Sequence, residues 1–310
     1  MSRVDKVDST YLERIRRMDL LEREWSLCRL HKMMVAYQTS EAIWQELRSS
    51  VLQFVSRALK LPKSLYLDAE VSGLQGSQVD LSNVTPNGAV VPKREYLLEY
   101  NLVLRAWTQV CREMTEPRPD LLSRFRVTPN IRIKFSKEQS ANEGRPLNTS
   151  LLHSDAWVEG PWGMNCFVPI AGDTDHNTLE FWETNKFEDE FLQMSPSYND
   201  MSWVQKHYAP VTSLVPQQGL VHLSDYSLLH KTIMRQNCGA RLSIDTTIHV
   251  GNHCLPVRSD EYLDSIPDIG HDTIVAITKS EKDTPIENSN AFQHYTSGSL
   301  RLVDLREGKR

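Results

Sequence analysis

Residues 151–158, Leu-Leu-His-Ser-Asp-Ala-Trp-Val, decide how this chain folds and what it holds, because they set a histidine and an aspartate two positions apart behind an apolar pair. Residues i and i+2 of a β-strand project from the same face, so His153 and Asp155 can reach one ion together. His230, far downstream, also follows an apolar pair. Two imidazoles and one carboxylate can cap one face of Fe(II) and leave the opposite positions open. The sequence therefore predicts a metal centre of His153, Asp155 and His230.

Short strands surround these candidate ligands. Ile131, Ile133 and Phe135 alternate with Arg132 and Lys134, which is the period of a strand with two different faces. Further short apolar or alternating runs, with turn residues between most of them, lie at 162–168, 179–182, 211–214, 220–223, 228–234 and 241–250. About eight short strands in this arrangement are typical of a β-sandwich or jelly roll. The fold class is predicted as mainly β with helical additions, with a double-stranded β-helix (jelly-roll) core over residues 125–250.

The first 124 residues have a helical period instead. Apolar residues recur at three- and four-residue intervals from Leu12 to Val35, from Ile43 to Leu59 and again from 94 to 114, which predicts amphipathic helices packed on the core. Residues 251–310 are polar and predict an irregular C-terminal extension. The segment 188–209 is predicted as an insertion between strands. We expect one domain over residues 1–310.

Composition narrows the class of protein. Of the 310 residues, 40% are hydrophobic and 24% charged, which is typical of a globular protein with a large core. The net charge of -5 gives no indication of nucleic-acid binding, and no apolar run reaches the length of a membrane span. The five scattered cysteines include no Cys-x-x-Cys pair, which favours reduced thiols and a cytoplasmic location. A small-molecule substrate is therefore the expected partner, and the oligomeric state stays open.

Candidate ligand-binding residues flank the metal motif. An arginine at position 241 could bind a carboxylate with two parallel hydrogen bonds, and Ser243, two positions on, could add a third. Alternatively, Arg241 could form an ion pair at the surface, and Ser243 could place an ordinary hydroxyl in the core. Asn165 could hydrogen-bond the same carboxylate or be an ordinary sheet amide. Arg132 and Lys134 would suit an anionic substrate if they face inward, and would be solvated charges if they face outward.

The chain resembles the Fe(II)/2-oxoglutarate-dependent oxygenases of the phytanoyl-hydroxylase-like and streptomycin-biosynthesis-like branch, through His153-Ser-Asp155, His230 and Arg241-Leu-Ser243. The resemblance covers roughly residues 127–250. It implies three cofactors or cosubstrates: Fe(II), 2-oxoglutarate and O2. It also implies that Arg241 and Ser243 bind the distal carboxylate of 2-oxoglutarate.

The resemblance leaves the product open. Halogenases of this family lack the metal-binding carboxylate, and because Asp155 keeps it, hydroxylation, desaturation or oxidative ring closure, as in kainoid synthases, remain. The basic residues near the motif favour a small, carboxylated, amino-acid-like natural-product precursor. Two other functions stay open: a metal-dependent hydrolase or isomerase on a cupin-like barrel, and a jelly-roll binding module without catalysis.

Overall fold

The computed structural model describes residues 3–93, 96–126, 128–136, 147–251, 262–263, 266, 273–277 and 300–304. Its largest element is an eight-stranded antiparallel sheet. The strands follow the order β1 (Cys28–His31), β2 (Met34–Gln38), β8 (Leu220–Asp225), β5 (Met164–Gly172), β10 (Arg241–Val250), β3 (Leu122–Arg126) and β11 (Tyr262–Leu263), with β4 (Asn130–Lys134) also paired to β10. In β5 and β10 nearly every residue is buried, so this part of the sheet lies inside the protein.

A second, three-stranded antiparallel sheet consists of β7 (Ala209–Pro210), β6 (Asn177–Glu183) and β9 (Leu229–Met234). A separate pair is formed by β12 (Thr273–Ile277) and β13 (Leu300–Asp304). The described part of the fold is therefore rich in antiparallel sheet with helices added, which agrees with that part of the prediction. The prediction of an irregular extension over 251–310 was wrong for β11, β12 and β13. These strands are short, and the polar composition of the extension as a whole gave no indication of them.

Five α-helices accompany the sheets within the described residues: α1 (Arg3–Glu24), α2 (Glu41–Ala58), α3 (Asp68–Ser72), α4 (Leu97–Thr115) and α5 (Ala156–Glu159). The apolar stripes of α2 and α4, which include Val51, Val55, Leu104 and Trp107, join the main hydrophobic core. Burying such stripes is the main source of stability for helices of this length. None of the described helices has the length and apolarity needed to cross a membrane.

The prediction of helix from Leu12 to Val35 was wrong in its second half. Helix α1 ends at Glu24, Ser26 has a positive φ of 53°, and β1 and β2 then form a hairpin. The hairpin lies at the edge of the large sheet, where β2 pairs with β8. Because Met34, Val35 and Ala36 are consecutive and all buried, their apolar run fits a strand as well as a helix, and pairing with β8 decides between them.

The segment between β6 and β7 is an insertion, as predicted, and contains two 3-10 helices at Asp189–Leu192 and Tyr198–His207. Its apolar side chains form a second core cluster with Trp157 of α5. The predicted strand at 211–214 is instead a turn that follows the two-residue strand β7. The insertion therefore covers one end of the small sheet, beside the candidate ligands.

Candidate metal centre

Two backbone hydrogen bonds join the segment that carries His153 to strand β9. The amide of His153 donates to the carbonyl of His230 (3.0 Å), and the amide of His230 donates to the carbonyl of His153 (2.9 Å). The two residues form an isolated antiparallel bridge, and their ring centroids lie 4.4 Å apart. The backbone itself thus brings together two imidazoles that are distant in the sequence.

Asp155 reaches the same point by a different route from the one predicted. It is not on a strand: its backbone is helical (φ -65°, ψ -19°) and it is the N-cap of α5. The turn between His153 and Asp155 is held by Ser154, whose hydroxyl donates to the carbonyl of Tyr226 (2.7 Å) and accepts from the amide of Ala156 (3.1 Å). The strand argument was therefore wrong in its geometry, although the two side chains do converge.

The three candidate ligands lie close enough to share one ion. Their ligand atoms all lie within 4.8 Å of one another, and the Nε2 atoms of His153 and His230 are 3.9 and 3.8 Å from the Asp155 carboxylate oxygens. These distances are too long for hydrogen bonds. Among the described residues, no second group of three histidine, cysteine or acidic side chains is arranged in this way.

Burial favours the neutral form of both candidate histidines, which is the form that binds a metal. Burial lowers the pKa of His153 to about 3 and that of His230 to about 4, so both rings are neutral at neutral pH. Nδ1 of His153 lies 2.7 Å from the carbonyl of Leu151, which places its proton on Nδ1 and leaves the Nε2 lone pair directed at the centre. Burial also raises the pKa of Asp155 to about 6, and its carboxylate is still mostly ionised at neutral pH.

A narrow cavity extends from the triad between the two sheets. Its lining residues are Arg132, Thr149, His153, Asp155, Asn165, Phe167, Leu179, His230, Thr232, Arg241 and Asp245. Arg241 is 1% exposed and donates one hydrogen bond, from Nη1 to the carbonyl of Asn177 (3.2 Å), while its Nε has no partner among the described residues. The same holds for the fully buried hydroxyl of Ser243, two positions along β10.

This end of the cavity fits an anion. Burial lowers the pKa of Arg241 to about 10, and the nearby positive charge of Arg132 lowers it further in the same direction. Unpartnered buried donors are costly unless a ligand or water satisfies them. The donor set of the triad fits a transition-metal ion with open positions, and Arg241 with Ser243 fits the far carboxylate of a 2-oxo acid.

The remaining predicted residues lie on the same large sheet. Asn165 is buried and lines the cavity from β5. Arg132 and Lys134 are buried on β4, so they are not solvated surface charges. Arg132, however, donates to both oxygens of Asp245 (2.5 and 3.0 Å) and to the carbonyl of Asn87 (2.9 Å), which uses its donors within the protein. Lys134 donates to Thr149 (3.3 Å) and does not line the cavity.

Sequence analysis missed several residues of the site. Asp245 shares the face of Arg241 and Ser243 at the next alternate position of β10, so the period of two could have found it. Tyr198 comes from the insertion, and its ring stacks on His153 with centroids 4.4 Å apart and planes 18° apart. No local pattern in 188–209 indicates this contact, because it depends on how the insertion packs back onto α5.

Comparison with known proteins gives distant structural relatives. No protein-family model matches the chain, and no curated protein matches it. Solved structures similar to the chain include non-haem α-ketoglutarate-dependent enzymes.

Three of these relatives illustrate the distance. An N-substituted L-amino acid dioxygenase from Burkholderia ambifaria is 10% identical, with 80% of this chain and 89% of that chain covered and a TM-score of 0.37. SnoK, an α-ketoglutarate-dependent carbocyclase from nogalamycin biosynthesis, is 12% identical over 77% and 83% of the two chains (TM-score 0.41). SnoN, an epimerase from the same biosynthesis, is 13% identical over 93% and 98% (TM-score 0.41). At this distance, the function has to be argued from the site itself.

Proposed function

We propose that this protein is an Fe(II)- and 2-oxoglutarate-dependent oxygenase that oxidises a C–H bond of a small, carboxylated, amino-acid-like molecule and releases succinate and CO2. One observation carries the proposal: three metal-binding side chains converge on a cavity that is also lined by the buried Arg241, whose Nε has no partner among the described residues. A hydrolase or isomerase that uses metal-bound water would need the triad alone and would give Arg241 and Ser243 no ligand.

Each residue has a defined task in this proposal. His153, Asp155 and His230 would hold Fe(II), which with 2-oxoglutarate and O2 supplies the oxidising power for an unactivated C–H bond. Arg241 and Ser243 would bind the distal carboxylate and so fix the direction in which the cosubstrate enters. Asn165 would offer its side-chain amide to a cosubstrate carboxylate from the neighbouring strand. Leu179 and Phe167 would exclude water from the cavity walls.

The order of strands supports a jelly roll, or double-stranded β-helix. Along the chain, β4 and β5 belong to the large sheet and the His153 bridge lies between them on the small sheet. The chain then continues through β6 and β7 of the small sheet, β8 of the large, β9 of the small and β10 of the large. Such alternation between two facing antiparallel sheets is the arrangement of a jelly roll.

The substrate, the product class and the cellular location are proposed from weaker features than the site. The proposal of a carboxylated substrate rests on the sequence, since Arg132 is paired with Asp245 and Lys134 does not line the cavity. Both hydroxylation and oxidative ring closure, as in kainoid synthases, are compatible with a triad that keeps Asp155. The cytoplasmic location rests on the sequence, whose scattered cysteines include no Cys-x-x-Cys pair. We also propose that residues 1–310 act as one oxygenase unit.

Anaerobic titration of the purified chain with Fe(II) and then 2-oxoglutarate tests the proposal. We expect the weak visible charge-transfer band of the chelated cosubstrate, and its loss in His230→Ala. The substitution His176→Ala is the matched control, because the His176 side chain is 56% exposed and lies outside the cavity. This control should keep the band.

Two other results would reject the oxygenase. Iron binding without a 2-oxoglutarate band would favour the hydrolase or isomerase. Absence of iron binding, in a protein shown to be folded by circular dichroism, would favour a binding module without catalysis. Succinate release would then be measured only for the protein that gives the band.

A further inference from the structure

Tyr198 is an aromatic residue that contacts a candidate metal ligand without lining the cavity. It is the first residue of the 3-10 helix Tyr198–His207 in the insertion, and it is 5% exposed. Its ring stacks on the imidazole of His153, with centroids 4.4 Å apart and planes 18° apart. The contact is made with the face of the imidazole, so it restricts how that ring can tilt.

The orientation of the His153 ring has two constraints that act in different directions. Nδ1 lies 2.7 Å from the carbonyl of Leu151, and this hydrogen bond fixes one edge of the ring. A ring held at one edge can still tilt about that bond, whereas a second ring lying nearly parallel against its face resists the tilt. The lone pair of Nε2 lies in the plane of the imidazole, so a tilt would turn it away from a bound ion. The stack with Tyr198 therefore controls the direction of the ligand atom.

The other candidate histidine is held differently. The described ring contacts of His230, with His153 at 4.4 Å and Phe181 at 6.3 Å, are tilted by 55° and 47°. The backbone bridge between the two histidines fixes the main chain of both residues and leaves the ring planes to other contacts. Within the described residues, a nearly parallel aromatic contact is thus found at His153 and not at His230.

Tyr198 is held in place by the segment that follows the candidate ligands. Trp157, on α5, packs edge to face against the Tyr198 ring, with centroids 5.8 Å apart. The same tryptophan donates from Nε1 to the carbonyl of Phe191 (2.7 Å), and its own carbonyl accepts from the amide of Ser195 (2.8 Å). These contacts join the insertion to α5 just before Tyr198, so the fold itself sets the position of its ring against His153.

We propose that Tyr198 is a positioning residue of the metal centre, whose ring holds the plane of the His153 imidazole so that Nε2 points at the bound ion. This deepens the proposed function and rests on its metal site, but it requires no particular cosubstrate or substrate. The role belongs to the aromatic face and not to the phenol hydroxyl. Phenylalanine should therefore replace Tyr198, and an aliphatic residue should not.

Titration with Co(II) alone tests this role, because the visible absorption of Co(II) depends on the geometry of its ligands and the ion binds nitrogen and oxygen donors as Fe(II) does. The full chain and its variants are titrated, and circular dichroism checks that each is folded. We expect Tyr198→Phe to keep the parent affinity and spectrum. Tyr198→Leu should bind Co(II) at least about tenfold more weakly and with a changed spectrum, as is typical when a partner that orients a metal ligand is lost.

Phe187→Leu is the matched control for the loss of a stacked ring. Phe187 belongs to the same core cluster as Tyr198 and stacks on Tyr11, with centroids 5.3 Å apart and planes 22° apart, but its partner is not a candidate ligand. This variant should lose stability and keep the Co(II) affinity and spectrum of the parent. Tyr198→Met, whose longer side chain fills more of the space of the ring, repeats the test if Tyr198→Leu is unfolded.

Parent affinity and an unchanged Co(II) spectrum in a folded Tyr198→Leu protein would overturn the positioning role. A loss of affinity in Tyr198→Phe or Phe187→Leu as large as that in Tyr198→Leu would also overturn it, since the hydroxyl or the packing of the cluster would then be the cause.

These results are separable from the proposed function. A normal 2-oxoglutarate band together with equal Co(II) binding in all variants would reject the positioning role alone. A missing band with iron bound would reject the oxygenase, while the Co(II) titrations would still decide whether Tyr198 positions His153. A parent protein that binds neither Fe(II) nor Co(II) would overturn both.

Discussion

Arg14 and Arg241 are both about 1% exposed, but the protein provides for their charges in opposite ways. Nη1 of Arg14 donates to both oxygens of Asp225 (3.0 and 3.3 Å), and its guanidinium lies 4.1 Å from the ring centre of Trp162. Arg241 has one backbone carbonyl and the ring of Phe167 at 5.4 Å. The first arginine has its counter-ion in the fold, whereas the second has donors left for a ligand.

We call Arg14 with Asp225 the closed site, because its counter-ion is part of the fold. We call the surroundings of Arg241 the open site, because donors are left there for a ligand. Burial alone would raise the pKa of Asp225, but Arg14 and Arg17 lower it below its usual value, so both members of the closed pair are charged. Nε of Arg14, like that of Arg241, has no partner among the described residues, and the two arginines differ in that Arg14 has a counter-ion. The closed site should therefore contribute to stability and the open site to binding. Substitutions at the closed site that changed binding, or substitutions at the open site that changed stability, would contradict this distinction.

The largest expected effect is on the closed site. Asp225→Asn leaves the Arg14 charge buried without a counter-ion, which should lower the free energy of unfolding by about 3–5 kcal/mol. Urea denaturation measures this loss, and the protein that remains folded should still bind Fe(II) and 2-oxoglutarate. A loss below about 1 kcal/mol would show that Asp225 is not the counter-ion that stabilises Arg14.

The second prediction concerns His222, a buried histidine whose partners all belong to the fold. Both ring nitrogens of His222 are engaged, Nδ1 with the carbonyl of Phe167 (3.2 Å) and Nε2 with the amide of Gln217 (3.3 Å). Burial lowers its pKa from 6.5 to about 4, so the folded protein keeps the ring neutral while the unfolded chain takes up a proton below pH 6.5. The stability that depends on this neutral ring is complete above pH 6.5 and decreases as the pH falls to about 4.

The pH dependence of unfolding measures this effect. Between pH 7 and pH 4, His222 should account for a loss of about 3 kcal/mol, and His222→Asn should reduce the pH-dependent loss by that amount. Parallel stability curves for the two proteins would contradict the assignment. The other buried histidines are unchanged in this comparison, so the difference between the curves belongs to position 222.

The third prediction concerns Arg241, whose substitution should change the affinity for the cosubstrate and leave the stability of the fold almost unchanged. Arg241→Met should weaken 2-oxoglutarate binding about 100-fold, equivalent to about 2.7 kcal/mol, because it removes charge-assisted hydrogen bonds to the distal carboxylate. Fe(II) binding should be unchanged, and the free energy of unfolding should change by less than about 1 kcal/mol. Arg14→Met is the matched control, with the opposite pattern of lower stability and unchanged cosubstrate affinity in the folded protein. The anaerobic titration and urea denaturation measure both quantities.

The smallest expected effect is at Ser243. Its buried hydroxyl has no partner among the described residues, so Ser243→Ala should leave the free energy of unfolding within about 0.5 kcal/mol of the parent. Binding of 2-oxoglutarate should weaken about fivefold, the effect of one neutral hydrogen bond of about 1 kcal/mol. An unchanged cosubstrate affinity would remove Ser243 from the anchor.

The open site was partly predictable from sequence because its chemistry is carried by unusual residues in short patterns. His153, Asp155, His230 and Arg241 stand out as polar residues next to apolar strands, and the structure brings all four to one cavity. Their binding roles stay predictions. The geometry at Asp155 was not predictable, since a turn and a strand can both place residues i and i+2 together.

The closed site and the remaining parts depend on contacts between distant segments. Nothing near Arg14 in the sequence indicates Asp225, which is brought to it by the packing of α1 against the end of β8. The hairpin at 28–38 is decided in the same way by pairing with β8, although its apolar spacing also suits a helix. Local patterns predict chemistry and period, whereas tertiary packing selects partners.

The backbone bridge between His153 and His230 has a consequence for hydrogen exchange. Each of the two amide protons is donated across the bridge, and the next contact along β9 is the longer one from the Thr232 amide to the Thr149 carbonyl (3.3 Å). With so few rungs, this segment can separate from β9 without unfolding either sheet. The exchange rates of these two amides should therefore report how often the metal centre opens, and should fall together when the ion and cosubstrate are bound.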